Sequence, residues 1–122
     1  MKTVLVSVLS LLSLLMVAHV SPLESAPEIS KDGICVAEFN ASFNSQNSVP
    51  WIEKLNDCTT TRVDIAAAPE LQAEHKIVVV PTIVVFNNGE EVDRFQANIM
   101  MTMEASKSDV QDAIDEIIMS DF

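Results

Sequence analysis

The sequence predicts an α/β domain, a central mixed sheet flanked by helices in the order β-α-β-α-β-β-α. Three observations carry that prediction. The run Ile34-Cys35-Val36-Ala37-Glu38-Phe39 is largely apolar at successive positions, the mark of a strand buried on both faces. The run Thr82 to Phe86 is rich in β-branched residues and leads into Asn88-Gly89, the dipeptide of a tight β-hairpin. Near the end of the chain, Val110, Ala113, Ile114, Ile117 and Ile118 fall at i, i+3, i+4, i+7 and i+8, one apolar stripe of an amphipathic helix.

The elements follow in order. Lys2 is the only early charge, Thr3 to Val20 is an apolar run, and Ser21 to Ala26 is small and polar. That pattern predicts a signal peptide over residues 1–26, with an uncleaved membrane anchor as the rival, because the run of about 18 residues is at the lower edge for crossing a bilayer. Residues 27–122 then form one domain, beginning with a polar arm up to Gly33. The first strand is the Ile34 run, and Asn40 to Ser48 reads as a loop. Pro50 suits the first turn of a helix capped by Asn47 or Ser48, with Trp51, Ile52 and Leu55 continuing it to about Asn56. Thr61 to Ile65 is the clearest part of a second strand within Thr59–Ala66. Pro69 starts a short helix over Glu70 to Lys76, with Leu71 and Ala73 as its inward residues.

Ile77 to Val80 would continue as a strand but meets Pro81, which has no N–H for a ladder. A loop that ends at Pro81 and launches a strand from Thr82 resolves the conflict, and Val80-Pro81 is a candidate cis peptide. Glu91 to Phe95 is the returning hairpin strand. Ser106 and Asp109 have capping-box spacing ahead of the last helix.

Composition excludes some functions. The chain of 122 residues is 48% hydrophobic and 20% charged, with 18 acidic against 7 basic side chains and a net charge of −11. No basic patch exists to displace counterions, so nucleic acid is not an expected partner. Only two glycines are present, so there is no phosphate-cradling Gly-rich loop, and no Ser/His/Asp set is visible. Met100, Met101 and Met103 are soft donors with no adjoining His or Cys, and they read as packing or apolar surface rather than a copper site. No metal or other cofactor is expected. Asn40-Ala41-Ser42 is a glycosylation sequon.

In residues 27–122 the chain resembles the thioredoxin family, including protein disulfide isomerase domains. Val36-Ala37-Glu38-Phe39-Asn40-Ala41-Ser42-Phe43 is similar to the family's strand before its active site. Val80-Pro81-Thr82-Ile83-Val84-Val85-Phe86 is similar to its cis-proline segment, Asn88-Gly89-Glu90 to its hairpin, and Arg62-Val63-Asp64 to its second strand. The resemblance implies a minimal thioredoxin fold, without the family's first β-α unit.

The main departure lies in the active-site loop. Where the family carries Cys-x-x-Cys, this chain reads Asn44-Ser45-Gln46-Asn47. The chemistry needs a thiolate at a helix N-terminus and a second thiol to resolve a mixed disulfide, and asparagine supplies neither. No catalytic residue is expected there. The resemblance places the first two strands side by side and parallel, which makes Cys35 and Cys58 a candidate disulfide; two free buried thiols are the other reading. It also gives Glu38, a carboxylate in an apolar strand, a partner in Arg62. The retained part of the family's site is its polypeptide-binding groove, here Phe43, Val80, Pro81, Thr82 and Gln96.

The expected function is a non-catalytic thioredoxin-like protein that binds extended polypeptide or scaffolds a complex in an extracytoplasmic compartment: secreted, periplasmic or the secretory-pathway lumen. A membrane enters only if the leader is uncleaved. The alternative is an atypical thiol-disulfide oxidoreductase using Cys35 and Cys58.

Overall fold

The computed structural model describes residues 28–121, so the leader expected over residues 1–26 lies outside the described residues. One sheet of four strands has the order β2-β1-β3-β4. β1 is Ile34–Asn40, β2 Thr59–Asp64, β3 Thr82–Asn87 and β4 Glu90–Gln96. β1 pairs with β2 in parallel and with β3 antiparallel, and β3 pairs antiparallel with β4. This is the mixed sheet predicted, with the two apolar runs at its centre. Among the described residues two α-helices accompany it, α1 (Pro69–Glu74) and α2 (Lys107–Ser120).

Strand alternation divides the core between the two faces of the sheet. Cys35, Ala37 and Phe39 of β1 join Val84 and Phe86 of β3 on one face, with Leu71 of α1 packed against them. Val36, Ile83 and Val85 face the other way, against Val110, Ile114 and Ile117 of α2. Leu71 therefore faces inward as expected. Ala73 does not: it is exposed, because the six-residue α1 ends at Glu74 and presents little more than one turn to the core.

The segment between β1 and β2 departs from expectation. No α-helix runs from Pro50 to Asn56. Instead, 3₁₀ turns span Ser42–Asn47, inside the expected loop, and Ile52–Lys54. Side-chain spacing explains the choice. The buried residues Val49, Ile52 and Leu55 recur every third position and belong to one core cluster. Three residues per turn keeps such a set on one side, whereas an α-helix would rotate each successive member by about 60°. The caps expected at Asn47 or Ser48 are likewise absent: Trp51 flanks the second turn and makes no side-chain cap bond. Gln111 of α2 fastens this crossover, accepting from the Asn56 N–H at 2.8 Å and donating to the Asn56 carbonyl at 3.2 Å.

The hairpin forms as predicted. Asn88 and Gly89 have φ of 53° and 86°, the positive pair of a type I′ turn. The Asn88 side chain also accepts from the Gly33 N–H at 2.9 Å, tying the turn to the start of β1. β4 is one of the two sheet edges, where exposed Glu90, Glu91 and Asp93 discourage further strand pairing. Ahead of α2, the capping box is complete: the Ser106 hydroxyl accepts from the Asp109 N–H at 3.2 Å, and the Asp109 carboxylate accepts from the Ser106 N–H at 2.8 Å.

Ile114 is fully buried where α2 meets the sheet. Replacing Ile114 with Ala should lower the unfolding free energy by about 2–5 kcal/mol. Ser106→Ala should cost about 1 kcal/mol through the cap alone. Urea denaturation of the two variants measures both, and the order Ile114→Ala above Ser106→Ala is the expected outcome.

Candidate functional site

The C-terminal end of β1 and the N-terminal end of β3 lie side by side, because the pair is antiparallel and Phe39 is in register with Thr82. At that end of the sheet three segments converge: the Ser42–Asn47 turn, the loop before β3, and the loop after β4.

The loop before β3 contains a cis Val80-Pro81 bond. The Thr82 hydroxyl donates to the Val79 carbonyl at 2.7 Å, and the Pro81 carbonyl accepts from the Ala97 N–H at 3.0 Å. Strand β3 starts at Thr82, the residue immediately after the proline, as expected for a residue type that cannot donate to the ladder.

Asn44 is the hub of the site. It is buried, and its backbone (φ −115°, ψ 21°) departs from helical geometry within the Ser42–Asn47 turn. Its side-chain N–H₂ donates to the Asn40 carboxamide oxygen at 3.1 Å and the Met101 carbonyl at 3.2 Å, with the Val80 carbonyl at 3.5 Å. Its own carboxamide oxygen accepts from Asn47 at 2.8 Å. Asn40 completes the set by donating to the Asn44 carbonyl at 3.1 Å and the Ser48 hydroxyl at 3.3 Å. One side chain thus joins all three segments. Asn47 serves this hub and caps no helix. Asn40 is buried inside it, so the sequon nitrogen is already engaged in the folded chain.

Burial separates the residues expected to line a groove. Phe43 is 73% exposed beside the buried Asn44. Val80, Pro81 and Thr82 are buried. Gln96 is exposed and stands opposite Thr82 in the β3–β4 register. Phe43 and Gln96 therefore supply the accessible side chains, and Ser45 and Gln46 are exposed on the loop between them and Asn47. The sequence reads Asn44 as a degenerate loop position and Met101 as packing or apolar surface, and does not foresee the bond that joins them. The signal available was the set Asn40, Asn44 and Asn47 at spacings of four and three, directly after a strand too apolar to end in an unsatisfied amide.

Glu38 and Arg62 lie in register on β1 and β2, and the Arg62 guanidinium donates to the Glu38 carboxylate. The other Glu38 oxygen accepts from the Val49 N–H at 2.6 Å. Arg62 also donates to the Val49 carbonyl at 2.9 Å and to Glu53 at 3.0 Å. Partial burial opposes the guanidinium's charge, but hydrogen bonds and attraction from Glu53 and Glu38 hold its pKa above the ordinary value. Glu38 is 1% exposed and Arg62 36% exposed, so the two partners are not equivalent.

The candidate Cys35–Cys58 disulfide is not formed; both cysteines are free. The parallel register places Cys35 opposite Thr59, which leaves Cys58 one residue out of step. Cys35 sits in the core on the α1 face, and Cys58 packs against the core on the α2 face. Side chains on opposite faces of a sheet cannot satisfy disulfide geometry without moving the backbone. Neither thiol is near the Asn44 loop: Cys35 lies five residues before Asn40, about 16 Å along an extended strand. Burial, then the neighbouring Cys35 and the Asp57 charge, push the Cys58 thiol from 9.0 to about 11. A thiol with a raised pKa is mostly protonated at neutral pH and is a weak nucleophile.

Two outcomes follow from this chemistry. Arg62→Ala should destabilise the chain by about 3 kcal/mol, since it leaves a buried carboxylate without a cation. Glu38→Gln should cost less, because half-exposed Arg62 keeps water and Glu53. Chemical denaturation at neutral pH gives the order. For Cys58, alkylation of the native chain by iodoacetamide should still be rising with pH well above 9. The sign for stability is the same: the raised thiol contributes fully below pH 9, and that contribution is lost as pH climbs towards 11. An alkylation rate already at its plateau at pH 8 would contradict a protected thiol.

Comparison with solved structures returns chains of matching architecture. A mutant thioredoxin from Halobacterium salinarum is 22% identical, with a TM-score of 0.58 over 71% of this chain and 76% of that one. Fasciola hepatica thioredoxin is 24% identical, with a TM-score of 0.56 over 70% of this chain and 83% of that one. Schistosoma mansoni thioredoxin is 23% identical, with a TM-score of 0.55 over 70% and 78%. No family model matches the sequence, and no curated protein matches it. The mixed sheet, the cis-proline loop facing the turn after β1, and these likenesses together give the chain a thioredoxin-like fold.

Proposed function

We propose that this chain is a redox-inactive thioredoxin-like protein that binds polypeptide, or holds a complex together through such binding, in an extracytoplasmic compartment. The observation that carries the reading is the Asn44 hub. At the turn facing the cis-proline, a buried carboxamide with every hydrogen-bonding group engaged stands beside Phe43, an exposed aromatic side chain. A carboxamide there can fix three segments but cannot attack a disulfide. A neighbouring exposed aromatic is suited to contact with another chain. The extracytoplasmic setting rests on the apolar leader of residues 3–20.

The alternative, thiol-disulfide exchange through Cys35 and Cys58, draws no support from their placement on opposite faces of the sheet, one of them inside the core.

The reading is tested by pairing two measurements on the full chain. Dithiothreitol-driven reduction of insulin should proceed at the rate of buffer alone. An array of peptides from an unfolded reporter protein should retain the chain, and Phe43→Ser should lose that retention. Catalysed insulin reduction that disappears in Cys35→Ala or Cys58→Ala would replace this function with the enzymatic one.

A further inference from the structure

The loop after β4 is held by a set of hydrogen bonds centred on Asn98. The Asn98 carboxamide oxygen accepts from the Met100 N–H at 2.9 Å, the Thr102 N–H at 3.2 Å and the Thr102 hydroxyl at 3.0 Å. The Asn98 N–H donates to the Thr102 carbonyl at 3.0 Å, and the Met101 N–H donates to the Asn98 carbonyl at 2.9 Å. Met101 sits at φ 60°, a left-handed conformation that costs a residue with a side chain some energy. These bonds hold Ile99 99% exposed, Met100 73% exposed and Met101 40% exposed. A polar-capped turn would close the same connection without presenting three large apolar side chains to water. Through the Met101 carbonyl, Asn44 then fastens this loop to the turn that carries Phe43.

We infer that Phe43, Ile99, Met100 and Met101 form an apolar platform that captures a partner segment in which apolar side chains alternate with lysine or arginine. The inference rests on the polypeptide-binding reading and specifies how binding occurs: by side-chain contact rather than by pairing a strand with the backbone at Val80. The Val80 carbonyl already faces the Asn44 amide, and the Val80 side chain is buried. Methionine suits a platform that accepts varied apolar partners, because its unbranched thioether adapts to their shape.

Charge selects the occupant. The chain carries a net charge of −11. Both arginines in the described residues are engaged by carboxylates, Arg62 by Glu38 and Glu53 and Arg94 by Glu91. Glu104 lies at the loop itself, accepting from the Asn98 amide at 3.2 Å. Arg94, already paired with Glu91, and Lys107, at the start of α2, are the cations flanking the loop along the chain. A second copy of the same chain or an anionic lipid surface would meet like charge, whereas a basic segment gains attraction as its apolar side chains are buried.

The test uses three fluorescent peptides and the full chain, read by anisotropy. One peptide alternates Leu with Lys, one Leu with Glu, and one Ser with Lys. The Leu/Lys peptide should bind tightest. The double variant Ile99→Ser/Met100→Ser changes only exposed side chains and no charge, so it should fold with the wild-type melting temperature. It should bind the Leu/Lys peptide about tenfold more weakly. Undiminished Leu/Lys binding in the variant would overturn the platform while leaving polypeptide binding in place. Equal binding of the Ser/Lys peptide would overturn it as well, by reducing the attraction to charge alone. Failure to bind any of the three peptides, with no retention on the reporter array, would remove both readings. A concentration-dependent dimer in sedimentation that is lost in the variant would assign the platform to a second copy and overturn the inference.

Discussion

The fold depends on a carboxylate placed inside its central strand. Strand β1 is covered on both faces, and Glu38 lies in it with almost no access to water. Such a group is tolerable only if its charge and its lone pairs are all engaged. Arg62 supplies the cation from β2 at the matching register position, and the Val49 N–H takes the remaining oxygen. The same arginine binds the Val49 carbonyl, so the ion pair fastens the crossover segment to the sheet as well as β1 to β2. One buried charge therefore fixes a strand register, the position of a connection, and the face on which that connection packs. A hydrophobic residue in its place could contribute packing but would not discriminate between registers in this way.

The turn after β1 inherits its geometry from that arrangement. With Val49 held against Glu38, the chain between Asn40 and Val49 must turn sharply over the end of the sheet. It does so in a 3₁₀ segment interrupted at Asn44, whose side chain turns inward and gathers the Val80 and Met101 carbonyls. A cysteine at that position could donate one weak S–H bond. A carboxamide donates two hydrogens and accepts besides, so it can satisfy several backbone groups at once. With those bonds made, the Asn44 side chain turns the end of the sheet into a mount that joins three segments. What the mount presents is apolar: Phe43 on one side and Ile99 and Met100 on the other. For the proposed partner segment, apolar side chains already held in place would lose less freedom on being covered.

Much of the fold was legible because local chemistry and tertiary structure demand the same thing. Pro81 could not lie within a ladder, so β3 had to begin after it. Asn88-Gly89 could adopt two positive φ values, so the hairpin closes there. Ser106 and Asp109 could cap a helix whose apolar stripe faces one way. Each of these rests on a residue type with few conformational choices, and the sequence by itself determined them.

The site was legible only in part. The resemblance pointed to the turn after β1, where this chain reads Asn44-Ser45-Gln46-Asn47, but nothing local in Asn44 distinguishes a solvated loop amide from a buried hub. That depended on carbonyls 36 and 57 residues away in the chain. Trp51, Ile52 and Leu55 fit an α-helical period too, but the sheet surface beneath selects the threefold spacing of Val49, Ile52 and Leu55. The two cysteines illustrate the same division. The strand that holds Cys35 and the one that Cys58 immediately precedes follow from the sequence, whereas a pairing of Cys35 with Thr59 leaves the thiols on opposite faces. Register, burial and long-range hydrogen bonding are properties of the assembled sheet, and those were decided by the tertiary structure alone.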